Sequence, residues 1–222
     1  MIKFAIFDLD GTLIDSSSMW YTLGERYLRL IGKTPEKGLA ERLEDMTLVT
    51  SAEYLREKYG ISYSAEEIVR HLNRIIESYY TEEVRLKDGA ARLLATLRSR
   101  CVYMSVATAS DERLGLNALA RLGVGDFFAG AVSCSDYGAK TSPDVFLAAA
   151  DLIYAIPEET VVFENSLTAV KTARNAGFVT AAVADISESN QQALKQTADF
   201  YAESMGEFAD NINGILSIDR NG

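Results

Sequence analysis

The sequence predicts an α/β fold: a Rossmann-like parallel sheet with helices on both faces, interrupted by an inserted four-helix bundle. Apolar runs at 102–107, 130–134, 160–163 and 179–184 read as buried strands. Amphipathic segments at about 88–99, 110–122, 143–155 and 167–176 alternate with them, and strand–helix alternation makes the strands parallel. One more apolar run opens the chain and ends at Phe7-Asp8-Leu9-Asp10-Gly11-Thr12-Leu13, after which strand-like patterning vanishes over residues 15–85. An isolated strand ahead of a helical bundle has no partner, so the first strand belongs to the later sheet. Residues 1–14 and 86–222 are therefore expected to form the α/β core, with 15–85 as a helical insertion.

The insertion is read from its periodicity. Leu23, Tyr27, Leu30 and Ile31 fall at i, i+4, i+7 and i+8 and form one apolar stripe. Thr34-Pro35 offers an N-cap followed by proline at the first helical position. Thr50-Ser51-Ala52-Glu53 and Ser64-Ala65-Glu66-Glu67 both read as capping boxes. Ile68, Leu72, Ile75, Ile76 and Tyr79 then share a face, and four such helices can bury their stripes against one another. In the core, Phe146, Ala149, Ala150 and Ile153 fit a helical face, while Gly123 and Gly177 stand where helix C-caps are expected. One further short helix is expected after about residue 204.

Composition narrows the function. The 222 residues carry 22 Lys and Arg against 32 Asp and Glu, a net charge of −10 without a basic run. Nucleic acid and anionic membrane surfaces are poor partners for such a chain. No apolar stretch approaches the roughly 18 residues that span a bilayer, and Met1-Ile2-Lys3-Phe4 enters a strand directly, which argues against a signal peptide. Cys101 and Cys134 lie in apolar stretches and read as two buried thiols, in keeping with a cytoplasmic protein. His71, the single histidine, flanks the Ile68 stripe as a half-buried packing residue and excludes multi-histidine zinc sites.

Chemistry is expected at the carboxyl ends of the strands, where open parallel sheets bind ligands. Asp8 and Asp10 are two residues apart in an extended segment, so they point the same way, and Gly11 lets the chain turn beside them. Thr108 ends a buried strand just before a helix, an anion seat in which its hydroxyl and the Ala109 N–H would hold phosphate oxygens. The alternative is that Thr108 packs and Ser110 caps the helix. Lys140 precedes a helix start made by Ser142 and Pro143, and is either solvated or reaches a transferring phosphoryl group. Glu164 ends the buried run at 160–163, and Asn165 either supplies a metal-shell oxygen or N-caps the next helix. Asp8, the Asp10 carbonyl, Glu164 and Asn165 together offer the hard oxygens that Mg2+ prefers.

These four segments resemble motifs I to IV of the haloacid dehalogenase-like (HAD) superfamily, in order, from residue 5 to about 178. The insertion resembles a C1-type cap, and the chain looks nearest the β-phosphoglucomutase and phosphoglycolate phosphatase-like branch. The resemblance implies a Mg2+-dependent phosphatase of a small phosphorylated metabolite, such as a sugar phosphate, acting as a monomer or dimer. It implies Asp8 as nucleophile forming an aspartyl phosphate, Asp10 as general acid and base, and Thr108, Ala109 and Lys140 as phosphate ligands. Asp8, Asp10, Glu164 and Asn165 would hold the metal. Asn165 departs from the commoner acidic residue, which implies weaker metal binding.

Substrate choice would fall to the cap, through Asp15–Trp20 and the loop Asp45–Thr50, with Trp20, Thr47 and Thr50 as candidates. A tryptophan at position 20 is more often simple bundle core than a substrate platform. A phosphosugar mutase is the alternative enzyme and would need inward basic residues such as Arg42 or Lys58. Phosphonoacetaldehyde hydrolysis would need a cap lysine such as Lys33 or Lys37. The alternative of another class, motivated by Asn165, is a non-catalytic protein that binds phosphate or metal for regulation.

Overall fold

The computed structural model describes residues 1–43 and 46–218. Six strands form one sheet: β1 (Phe4–Phe7), β2 (Tyr103–Thr108), β3 (Phe128–Ser133), β4 (Thr160–Glu164), β5 (Val179–Val183) and β6 (Phe200–Ala202). Their order is β3-β2-β1-β4-β5-β6 and every neighbouring pair is parallel. The strands are apolar on both faces because helices cover both, as a parallel sheet requires. On one face Ile6, Ala107 and Val162 pack with Phe146 and Phe178. On the other, Phe7 stacks on Phe163 at 4.5 Å between ring centroids, and Phe163 meets Phe208 edge-on at 5.3 Å.

The order of the strands sets the place of the site. From β1 the chain moves out through β2 to β3, then returns to the far side of β1 for β4, β5 and β6. The direction reverses between β1 and β4, and the crevice beyond their carboxyl ends is where ligands bind in such sheets. Asp8 follows β1 there, tied by its N–H to the Phe163 carbonyl at 2.9 Å, and Glu164 ends β4 beside it.

Two compact units are present: Met1–Ser16 with Val84–Gly222, and Ser17–Glu83. The division falls inside the expected limits of 15 and 85 because the connecting segments pair within the first unit. The Asp15 N–H donates to the Arg85 carbonyl at 2.9 Å, and Ile14 bridges Leu86.

In the second unit the helix Ser17–Leu30 packs on Leu39–Leu43 and on Ala65–Ser78, which also packs on Leu48–Tyr59. Its inward residues are Met19, Leu23, Tyr27 and Leu28, whereas Leu30, expected in the stripe, is 72% exposed. Thr34-Pro35 opens no helix. Glu36 is held instead by the Tyr59 hydroxyl on its N–H and by Lys58 and Tyr54 on its carboxylate, and Gly38 turns at φ +83° before Leu39. The helix expected to be capped at Thr50 begins a turn earlier, with Thr47 accepting from the Thr50 N–H. The expected loop Asp45–Thr50 is thus largely helix start, and Asp45 itself lies outside the described residues. Ser64 and Glu67 form the expected capping box. His71 is half-buried against Tyr27 and Tyr63.

Other expectations need correction in the first unit. Cys101 is exposed in a turn at φ +58°, because the helix Ala90–Ser99 ends two residues before it and β2 starts two after. Cys134 is partly buried, and burial pushes its thiol above the usual range. The chain past residue 185 carries more structure than its pattern suggests: a helix Gln191–Thr197, the edge strand β6 and a twelve-residue helix Met205–Leu216. That last helix packs on Ala90–Ser99, and Gly89, at φ +77°, lies so close to the Gly206 backbone that a Cβ has no room. Among the described residues no helix is long and apolar enough to cross a membrane.

Candidate active site

Asp8 is the centre of the site because a charged residue that follows a central strand leaves water behind. It is 5% exposed, and one ammonium group answers it: Lys140 Nζ donates to Asp8 Oδ1 and to Glu164 Oε1, the latter at 2.7 Å. Lys140 arrives from the loop between Cys134–Tyr137 and the helix Asp144–Asp151. Of the two readings the sequence left open for this lysine, the solvated one is excluded. Its helix starts one residue later than expected, with Pro143 in the cap position and the Ser142 hydroxyl donating to the Asp144 carboxylate.

Burial lifts the Asp8 carboxyl from 3.8 to about 7; Lys140 opposes that rise, while Glu164 and Asp10 add to it. Burial alone would favour a neutral Lys140, yet Asp8 and Glu164 carry it above its ordinary value. Two buried carboxylates thus share one cation, and the second oxygen of Glu164 is taken by the N–H groups of Asn165 and Ser166 at 2.8 and 2.9 Å.

Asp10 lies beyond Asp8 and is held from two sides. Ser16 Oγ donates to its Oδ1 and Ser110 Oγ to its Oδ2, each at 2.6 Å. Neither serine stood out in the sequence for this purpose, and Ser110 is not the helix cap: Asp111 accepts from the Leu114 N–H and caps Glu112–Arg121. Thr108 is fully buried at the end of β2, where its hydroxyl accepts from the Ser110 N–H at 3.0 Å. Ala109 follows it in the same turn.

Asn165 is buried and caps nothing. The helix Leu167–Asn175 has Ser166 at its cap position, and Glu188 accepts from the Leu167 N–H at 2.8 Å. The Asn165 amide instead receives the Thr12 hydroxyl on Oδ1 at 3.3 Å and donates from Nδ2 to Ser187 Oγ at 3.0 Å. Asp8, Lys140, Glu164 and Asn165 are therefore gathered at the β1–β4 crevice, with Asp10, Thr108 and Ala109 along the adjoining β1–β2 edge. Among the described residues no three His, Cys, Asp or Glu side chains converge as a metal cluster. Trp20, Thr47 and Thr50 belong to the second unit. Trp20 is half-buried on Ser17–Leu30, and Thr47 and Thr50 share a hydroxyl contact of 3.0 Å at the start of their helix.

The family profile described as haloacid dehalogenase-like hydrolase matches residues 5–183. The chain belongs to that family. The haloacid dehalogenase-like chain is 25% identical over 174 residues to a phosphorylated carbohydrates phosphatase of Thermotoga maritima, covering 78% of this chain and 81% of the relative. It is 28% identical over 218 residues to a protein of Drosophila melanogaster named as a probable pseudouridine-5'-phosphatase, covering 92% and 94%. A Thermotoga maritima structure provisionally named as a β-phosphoglucomutase superposes with a TM-score of 0.85, at 22% identity, over 97% of this chain and 100% of its own. That superposition shares the haloacid dehalogenase-like fold. The two sequence relatives above are named as phosphatases, and a Bacillus subtilis relative, 25% identical over 80% of this chain and 81% of its own, is named as a β-phosphoglucomutase.

Proposed function

We propose that this chain is a Mg2+-dependent phosphatase of a small phosphorylated metabolite, such as a sugar phosphate, that works through an aspartyl phosphate on Asp8. The observation that carries the reading is the buried Asp8 carboxylate facing the Lys140 ammonium at the β1–β4 crevice. The named phosphatase relatives support the reaction class.

In this reading Asp8 Oδ attacks phosphorus, forming a new P–O bond as the bond to the leaving oxygen breaks. Asp10 delivers a proton to that oxygen and then takes one from the water that hydrolyses the aspartyl phosphate. Ser16 and Ser110 hold the Asp10 carboxylate in place for both transfers. Thr108, the Ala109 N–H and Lys140 neutralise charge on the phosphoryl oxygens.

The residues present fit a divalent cation. Asp8 and Glu164 bring two buried negative charges to one lysine, so the crevice is short of positive charge. Magnesium takes one or two carboxylates and fills its other positions with neutral oxygens. Asp8, the Asp10 carbonyl, Glu164 and Asn165 would hold it, and when bound it supplies charge neutralisation and orientation of phosphate. The helical unit Ser17–Glu83 would act as the cap that selects substrate.

The test is phosphate release from a panel of phosphorylated metabolites with Mg2+ and with chelator, and sugar-phosphate isomerisation followed in parallel. Metal-dependent release from at least one substrate is expected. Isomerisation without release would favour a mutase, and binding without either would favour a regulatory protein.

A further inference from the structure

Asn165 stands at the end of a line of hydrogen bonds whose direction is fixed at the other end. Lys87 Nζ can only donate, and it gives to Asp185 Oδ2 at 2.6 Å and to the Ala184 carbonyl at 3.0 Å. The Asp185 carboxylate only accepts: its Oδ1 takes the Ser187 N–H at 3.0 Å and the Ser187 hydroxyl at 2.7 Å. With its proton committed to Asp185, the Ser187 oxygen has lone pairs alone to offer Asn165, and it receives the amide Nδ2–H at 3.0 Å. The amide oxygen is thereby left on the Thr12 side. The line closes on itself, since the Lys87 N–H donates to the carbonyl of Leu13, next to Thr12, at 2.9 Å. Both ends of the Asn165–Ser187–Asp185 stretch are buried, with Asn165 7% exposed and the Asp185 side chain 3%, whereas Ser187 between them is exposed.

A carboxylate at position 165 would meet this line the wrong way round. Two acids would contest a single hydroxyl proton. Asp185 also holds the Ser187 N–H, so the acid at 165 would be the one left with its oxygen facing the Ser187 lone pairs. An amide is the group that donates toward Ser187 while still presenting an oxygen.

We propose that residue 165 is asparagine in this chain because the Lys87–Asp185–Ser187 line demands a donor there. The line makes Asn165 a positioned oxygen at the crevice, and this second part rests on the Mg2+ reading above. Ser187, Asp185 and Lys87 are then positioning residues that act through Asn165 and touch no substrate.

The test is a double-mutant cycle of Asn165→Asp and Ser187→Ala in the full chain, with melting temperatures measured after chelation. Asn165→Asp is expected to lower Tm by about 4 °C in the native background and by less than half as much beside Ser187→Ala, where no hydroxyl is contested. Additive losses overturn the proposal. Calorimetric Mg2+ titration supplies a second arm that holds even if Asn165→Asp does not fold. Ser187→Ala should raise the Mg2+ Kd about tenfold, the usual scale for supporting residues, and Ser187→Thr should restore it. An unchanged Kd in Ser187→Ala overturns the positioning role. If the wild-type chain binds no Mg2+, the metal reading fails, and the chelated Tm cycle alone decides the line of bonds.

Discussion

Ser110 donates its hydroxyl to Asp10 Oδ2 at 2.6 Å, joining the turn after β2 to the loop after β1. Ser110 Oγ is one of two hydroxyls that fix the Asp10 carboxylate, so its loss frees the rotamer of the group assigned to proton transfer. Ser110→Ala should lower kcat about tenfold, the scale of one hydrogen bond to a charged group, with a smaller change in KM. Steady-state kinetics with Ser110→Thr as the rescue would check it. Equal kcat for wild type and Ser110→Ala would remove Ser110 from the mechanism.

Asp8→Asn should abolish both turnover and covalent phosphorylation, because an amide does not attack phosphorus. Mass spectrometry of acid-quenched enzyme detects the aspartyl phosphate. More than a trace of activity in the variant would move the nucleophile elsewhere.

Asp8 also predicts a dependence of stability on pH. Its carboxyl is raised from 3.8 to about 7 in the folded, metal-free chain, so the folded state keeps a proton that the unfolded state releases. The stabilisation from that proton is complete below about pH 4 and is lost as pH rises through about 7. The Tm of the chelated wild type minus that of Asp8→Asn should therefore fall between pH 4 and 7.5. A difference flat across that window would show that Asp8 ionises normally.

The proposed division between cap and core predicts two patterns of damage. Trp20→Ala should change kcat/KM unequally among phosphorylated metabolites while sparing a small activated aryl phosphate. Thr47 must be tested as Thr47→Ser, because its oxygen also caps the helix Leu48–Tyr59 and alanine would cost about 1 kcal/mol of stability. Lys140→Met should instead depress every substrate, because it faces Asp8 itself. Uniform losses from Trp20→Ala would argue for a folding defect and against the division.

What the sequence showed and what it hid divides along the range of the contacts. Asp8, Thr108 and Glu164 are legible because each ends an apolar run, and the strand pattern places all three on one sheet edge. Lys140 is legible only in their company, since nothing in its own loop distinguishes it from a solvated lysine. Ser16 and Ser110 were not legible as partners of Asp10, because a serine beside a helix start looks like a cap and the true cap, Asp111, is adjacent. The Lys87–Asp185–Ser187 line leaves no periodic trace at all. It joins a connecting segment to a loop almost a hundred residues later through side chains, and it is visible only once β4 and β5 are side by side. Leu30 failed for the opposite reason: it fits the helical period and shares the face of Leu23 and Tyr27, but it is the last residue of its helix and stands 72% exposed there.

The central position of β1 has a consequence for how the chain acquires its shape. Phe4 pairs with Tyr103 on one side and with Thr160 on the other. Its hydrogen-bonding groups therefore have no partners until the helical segment and β2 have left the ribosome, and they remain half unpaired until β4 follows. Such non-local pairing is slow, because the closure entropy of long loops precedes any reward from contact. The Ser17–Glu83 segment, whose contacts are local, can form during that wait and shorten the loop that must close. Asp8, the proposed nucleophile, is thus made ahead of the strands that complete its surroundings. Refolding should show early helix formation, with the Asp8 environment appearing only in the final, slowest phase.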